Sequence, residues 1–339
     1  MTAISFFNRR QFIGALSMSA AAFALPRIVK GQAAKRRLAG VFPIGFTPVS
    51  AQNEIDFEGL ATQVRFCRRG GVHGLAWPQN ASGWITLTEE ERMRGAESLI
   101  SAARGGATAI VIGVQSRTAD FAETRRYAEQ AEKLGADAII SLPPQGVTAA
   151  PDILHYYQEL GKVTSLPLFA QAVGDFSVDL VVEIFNSVPT FRYLKDEAGK
   201  PLERVAEIRK RTNDQMKCFA GSGVMTMITE MERGFVGHCP YVSLADLYAS
   251  AYDLFHAGKV REAFDQFGRI LAASSMFAQN DVGILIARGV FPPGTTTRVA
   301  PPADGADTGH SKSANPDEAK HVDEIKRVLD TYLRGDLRG

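Results

Sequence analysis

Residues 109–142 read AIVIGVQSRTADFAETRRYAEQAEKLGADAIISL. Ala109 to Val114 is an unbroken apolar run, and Ala138 to Leu142 is a second. Between them, from about Ala119 to Leu134, lies an amphipathic run of helical length. A strand that is apolar throughout is covered on both faces, which is the signature of a parallel sheet whose crossovers are helices. The stretch is therefore one strand–helix–strand unit, and the rest of the chain is tested against it.

The same alternation continues in both directions. Upstream, Gly40 to Thr47 and Gly74 to Trp77 read as strands. Asp56 is placed to cap a helix with apolar positions at Leu60, Val64 and Cys67. Thr88-Glu89-Glu90-Glu91 is a capping box opening a helix to about Ala103, so its glutamates are helix-start chemistry and not catalytic acids. Downstream, Pro151 suits the first turn of a helix. Pro167 to Val173, Phe191 to Lys195, Lys217 to Gly221 and Gly237 to Tyr241 complete eight strands, with helices from Val178, Leu202, Val224 and Leu244. Eight strands alternating with helices over about 220 residues predict an α/β fold, an eight-fold (β/α)8 TIM barrel. A doubly wound open sheet is the alternative, but no G-x-G-x-x-G follows any strand. Beyond the barrel, helices are expected over Val260–Ala273, Asp281–Ala287 and Asp317–Leu333, with a Pro/Gly/Thr-rich loop from Phe291 to Asn315. The predicted organisation is a leader over 1–34, a barrel over 35–257 and a helical C-terminal region over 258–339, which contains the loop at 291–315.

The first 34 residues carry Arg9, Arg10, Arg27 and Lys30 and no acidic residue. Asn8-Arg9-Arg10-Gln11-Phe12-Ile13-Gly14 resembles the twin-arginine export motif, and the apolar run Ile13 to Leu25 follows it. A bilayer span takes about 20 apolar residues, so this shorter run suits a signal peptide. The expectation is export to the periplasm, with no membrane association after processing. Removing those four charges would take the net charge from +1 to −3.

Of 339 residues, 45% are hydrophobic and 22% charged, which places the chain among globular proteins. The 38 basic and 37 acidic residues balance, and no basic stripe marks a nucleic-acid partner. Cys67, Cys218 and Cys239 form no C-x-x-C pair and read as buried small hydrophobes. None of the six histidines stands at metal-ligand spacing, so no metal is expected.

Five pieces stand in order along the chain: Gly45-Phe46-Thr47-Pro48 ending strand one, Gly71-Val72-His73-Gly74-Leu75 entering strand two, and Leu87-Thr88-Glu89-Glu90-Glu91-Arg92 starting helix two. Gly135-Ala136-Asp137-Ala138 precedes strand four, which closes on Pro143-Pro144, and Tyr193-Leu194-Lys195-Asp196 ends strand six. Together and in this order they resemble the dihydrodipicolinate synthase and N-acetylneuraminate lyase family, a likeness that spans about Leu38 to Gly289.

By spacing alone, Lys195 reads as a solvent-facing lysine paired with Asp196. The resemblance turns it into a Schiff-base nucleophile. At the C-terminal end of a barrel strand it would face the active site, where desolvation disfavours the ammonium and frees the amine to attack a carbonyl. The resemblance also implies a carboxylate-binding loop after strand two, matched here by Asn80-Ala81-Ser82-Gly83-Trp84, and places Thr47, Gln171 and Cys239 among the substrate-binding candidates. It further implies a proton relay that this chain lacks. Ala81 stands where the family has a threonine, Gln145 where it has a tyrosine donated across a subunit interface, and Gln171 where it has the tyrosine that serves the imine. The arginine that binds the synthases' second substrate falls near Phe176. Trp77, Trp84 and Phe176 are expected around the pocket.

The resulting expectation is a class I aldolase-type lyase, an aldolase or dehydratase, acting on a 2-oxo acid such as pyruvate, and not a dihydrodipicolinate synthase. It would use no cofactor beyond the imine on Lys195 and would form a homo-oligomer, dimer or tetramer. A non-catalytic barrel binding a small carboxylate is the competing reading. A nicotinamide-dependent barrel would have only Gly221-Ser222-Gly223 for phosphate.

Overall fold

The computed structural model describes residues 38–50, 52–117, 120–277, 280–297 and 316–333. The export segment and residues 298–315 lie outside the described residues.

Eight parallel strands alternate with helices. They are β1 (Gly40–Val41), β2 (Gly74–Trp77), β3 (Ala109–Gly113), β4 (Ala138–Ser141), β5 (Leu168–Ala172), β6 (Phe191–Asp196), β7 (Lys217–Ala220) and β8 (Gly237–His238). The order β1-β8-β7-β6-β5-β4-β3-β2 is parallel throughout. Ile44 closes the ring, bridging Ala76 on one side and Tyr241 on the other. The Ala76 N–H donates to Pro43 O at 2.9 Å and the Gly45 N–H to Ala76 O at 3.0 Å. The fold is therefore the expected (β/α)8 barrel, not an open sheet.

The helices are α1 (Phe57–Arg69), α2 (Glu89–Ala103), α3 (Phe121–Leu134), α4 (Ala150–Val163), α5 (Val178–Ser187), α6 (Pro201–Arg211), α7 (Met227–Glu232) and α8 (Ala245–His256), followed by α9 (Val260–Met276), α10 (Asp281–Ala287) and α11 (Pro316–Tyr332). Their starts follow local chemistry. The Asp56 carboxylate accepts from the Gly59 N–H at 2.9 Å. Thr88 and Glu91 form the reciprocal capping box, at 2.8 and 3.2 Å. Thr296–Thr297 returns to pair antiparallel with Pro48–Val49, fastening the start of the Pro/Gly-rich loop to the barrel's rim.

The alternation of side chains divides the core in two. Phe42, Ala76, Val111, Ile140, Phe169 and Phe219 fill the inside of the barrel. Leu75, Ile110, Ile139 and Leu194 face the helices instead. The interior is a packed aromatic plug. Phe169 stacks on Tyr193 at 4.5 Å, and Phe219 meets Phe42 and Phe169 edge-on at 5.3 and 5.1 Å. Each buried Phe contributes roughly 1.5–3 kcal/mol over an exposed one. A barrel floored in this way carries its site at the C-terminal ends of its strands.

Candidate active site

β6 carries the central residue, and a bulge aims it. The β5–β6 register runs Leu168↔Phe191 and then Phe169↔Tyr193, so Arg192 is an extra residue. The bulge switches the alternation. Phe191 faces α4, stacking on Tyr157, whereas Tyr193 and then Lys195 face inward. Were Arg192 paired in regular alternation instead of bulged, Lys195 would share the outward face of Phe191.

Lys195 pairs in register with Gln171 on β5 and Phe219 on β7, and only 4% of it is exposed. Its ammonium lies 3.3 Å from Glu197 Oε2. The Glu197 N–H continues the ladder to Ala172 O at 2.9 Å, so the i, i+2 alternation puts Glu197 on the same side as Lys195. Three further features hold that carboxylate. Gln171 Nε2 donates to Oε2. The Ser222 N–H donates to Oε1 at 2.8 Å. Gly221 leaves the space, since a Cβ there would lie 2.6 Å from Glu197 Cδ. The Gly221-Ser222-Gly223 turn thus holds a carboxylate of the chain itself. Gln171 Oε1 is buried without a hydrogen-bond partner.

The pairing with Asp196 that spacing alone suggests for Lys195 does not occur. Asp196 points to the opposite face, where its Oδ2 lies 3.3 Å from Arg204 Nε. Burial pushes the Asp196 carboxyl up to about 6 against the pull of Arg204.

The other expected site residues divide. Cys239 packs with the interior cluster. Burial pushes its thiol up to about 12, partly offset by the charge of nearby Lys195, so it is no nucleophile at neutral pH. Ala81 packs against the same cluster. Gly83 adopts the left-handed turn (φ 62°) expected of the loop. Ser82 and Thr47 are wholly buried and serve the loop itself. The Ser82 hydroxyl donates to Gly45 O and accepts from the Gln79 N–H at 3.0 Å. Thr47 Oγ1 donates to Ser82 O at 2.7 Å and accepts from Trp77 Nε1 at 2.9 Å. Neither hydroxyl proton is free for a substrate carboxylate. Gln145 lies on an exposed turn between Pro144 and Val147.

Two expected pocket aromatics are also displaced. Trp77 and Phe176 belong to the outer core. Trp77 packs so closely on α2 that a Cβ at Gly95 would overlap its ring, lying 2.7 Å from Cζ3 and nearer still to Cη2. Trp84 is held on the loop, its indole N–H donating to Asn80 Oδ1 at 2.9 Å.

Sequence reading missed the carboxamides that complete the rim. The side chain of Gln115 donates to Pro78 O at 2.9 Å and accepts from Gln79 Nε2 at 3.3 Å. Inward-facing Gly113 makes room for Gln79, as its Cβ would lie 2.8 Å from Gln79 Nε2. Glycine at an inward strand end, at 113 and 221 alike, was the available signal that another side chain enters there. Beyond the rim, a cavity of ≈ 210 Å³ is lined by Gly223, Tyr241, Ser243, Tyr248 and Asp281 among others. Among the described residues no cluster of three His, Cys, Asp or Glu side chains could hold a metal.

A buried amine, a carboxylate in contact with it and a set of carboxamides can form an imine and move protons around it. Comparison with known proteins points the same way. A sequence profile of the dihydrodipicolinate synthetase family matches residues 37–291. The N-acetylneuraminate lyase of Rhizobium meliloti (strain 1021) is 27% identical over 268 residues, 76% of this chain and 83% of the relative. The dihydrodipicolinate synthase of Rhodopseudomonas palustris matches the fold with a TM-score of 0.72 at 20% identity, over 85% of this chain and 96% of that one. The prophage protein YagE of E. coli K12, a member of the dihydrodipicolinic acid synthase family solved in complex with pyruvate, gives 0.71 at 17% identity, over 87% and 98%. At these identities the structural likeness speaks for the fold.

Proposed function

The chain belongs to the dihydrodipicolinate synthetase family, and on that premise we propose that it is a Schiff-base lyase, of aldolase or dehydratase type, acting on a 2-oxo acid such as pyruvate. The family's chemistry runs through a lysine imine without a metal or added cofactor. The observation that carries the reading is the placement of Lys195. Lys195 is 4% exposed and inward-facing at the C-terminal mouth, with the Glu197 carboxylate 3.3 Å from its amine and Gln171 holding that carboxylate. A buried lysine–carboxylate pair is a weak source of stability, because desolvating both charges offsets their attraction.

In this reading Lys195 Nζ adds to the carbonyl carbon and the resulting iminium withdraws electrons from the neighbouring carbon. That sink allows a C–C or C–O bond beyond it to form or break. Dihydrodipicolinate synthesis is not the reaction proposed, since Ala81, Gln145 and Gln171 stand at the positions of the family's relay and Phe176 lies near its carboxylate-binding arginine. The twin-arginine-like motif supports work outside the cytoplasm, and the family membership supports a homo-oligomer.

The test is incubation with a panel of 2-oxo acids and borohydride, followed by intact-mass measurement. A single reduced adduct is expected with at least one acid. No adduct with any of them would replace this reading with that of a barrel that binds a carboxylate without chemistry.

A further inference from the structure

An imine enzyme needs a proton carrier at the imine, and the position where the family's tyrosine is expected holds Gln171, whose carboxamide does not titrate. We propose that Glu197 is the acid–base residue of this site, carrying protons to and from the imine on Lys195; the inference rests on the Schiff-base reading above.

Three observations support it. Glu197 is the carboxylate in contact with the amine, 3.3 Å away, on the inward face set by the alternation Tyr193, Lys195, Glu197. Its position is built, not incidental: the Ser222 N–H holds one oxygen, Gln171 Nε2 holds the other, and Gly221 is left empty for it. It is also reachable, its side chain being 15% exposed where that of Lys195 is 5%. Gln171 is then a positioning residue, because its side chain holds the carboxylate and its amide cannot carry the proton.

The proton accounting closes on this one group. The Lys195 ammonium gives a proton to the Glu197 carboxylate. The freed amine forms a bond to C2 of the 2-oxo acid, and the carbonyl becomes a hydroxyl by taking the second proton of the nitrogen. Glu197, now the acid, protonates that hydroxyl; the C–O bond breaks, water leaves, and the nitrogen lone pair closes the iminium. Ammonium and oxo acid have become iminium and water, and Glu197 is a carboxylate again. The same carboxylate next removes a proton from C3. The C–H pair becomes the C2–C3 double bond, and the C2–N π pair moves to nitrogen, giving the enamine. Returning the proton to C3 reverses the step.

That last exchange needs no second substrate and can be read directly. In deuterium oxide the methyl protons of pyruvate should be lost to solvent on the wild-type protein, as followed by proton NMR. Glu197→Gln should slow this exchange ~10²–10⁴-fold, the usual worth of a positioned acid–base group. Borohydride should still trap pyruvate on Lys195 after long incubation of that variant. Glu197→Ala, assayed with added formate, should regain exchange in proportion to the formate concentration, which a merely structural glutamate would not do. If Glu197→Gln fails to fold, the Glu197→Ala arm decides. Exchange at the wild-type rate in Glu197→Gln, or a loss in Glu197→Ala that formate does not repair, overturns the inference while a trapped wild-type adduct leaves the Schiff-base reading standing. Absence of any adduct on the wild-type protein removes both.

Discussion

Asp281 opens α10 and lines the cavity beside the barrel mouth, its carboxylate accepting from the Ser243 hydroxyl. Burial pushes its carboxyl from the ordinary 3.8 up to about 6, against the smaller opposing pull of that hydrogen bond. The sign follows from linkage. Below about pH 4 both the folded and unfolded chains hold the proton, and the group contributes its full share of stability. As pH rises toward about 6 the unfolded chain ionises first, and that share is lost. A shift of about two units is worth roughly 3 kcal/mol at 1.36 kcal/mol per unit. About 2 kcal/mol of this falls between about pH 4.5 and pH 7.5. Asp281→Asn keeps an oxygen for Ser243 and does not titrate. The variant should therefore gain about 2 kcal/mol on wild type between those two pH values, or roughly 4 °C in Tm for a domain of this size. Asp196, which is raised similarly, is present in both proteins and cancels in the difference. Paired thermal melts across the range read the effect. A stability difference that stays flat with pH, or one that grows toward acid, would refute the reasoning.

Three further outcomes are expected. Gly221→Ala should cut pyruvate methyl exchange ~10²-fold or more, because the added methyl overlaps the Glu197 carboxylate; its melting curve should move little, since Gly221 is not at positive φ. Asp246→Asn should cost about 3–5 kcal/mol in a urea melt, because the Arg288 side chain, 3% exposed, loses the bidentate partner that ties the end of α10 to α8 at 2.7 Å. Replacing Arg9 and Arg10 by Lys should abolish periplasmic appearance in a fractionation assay; unchanged export would set the twin-arginine reading aside.

The barrel was legible because its signals are local. Apolar strands such as 109–113 and caps such as Asp56 and Thr88 act through their immediate neighbours, and α10 spans the expected residues. Errors gathered where a proline or a turn intervenes. Pro43 and Pro240 have no N–H to give the ladder, so β1 and β8 are short and are followed by the isolated Ile44–Tyr241 bridge. α7 starts at Met227 and not Val224 because Ser222, Gly223 and Val224 turn through positive φ of 52°, 77° and 52°. Lys195 was singled out in the sequence, but its inward aim depends on the Arg192 bulge, a matter of pairing with β5 that residue type does not disclose. Glu197 was missed because the alternation was stopped at the strand's last apolar residues; two residues further it reaches the carboxylate. Ser82 and Thr47 were assigned to substrate because a hydroxyl in a binding loop looks available. Only the packed structure reveals that each hydroxyl already has a donor and an acceptor.

The most direct test of the central claim is to locate the trapped adduct. Wild-type protein and Lys195→Ala are incubated with pyruvate, reduced with borohydride, digested and mapped by tandem mass spectrometry. The account predicts one modified lysine, Lys195, in the wild-type digest and no adduct in the variant. An adduct on another lysine, or one that survives in Lys195→Ala, would contradict it.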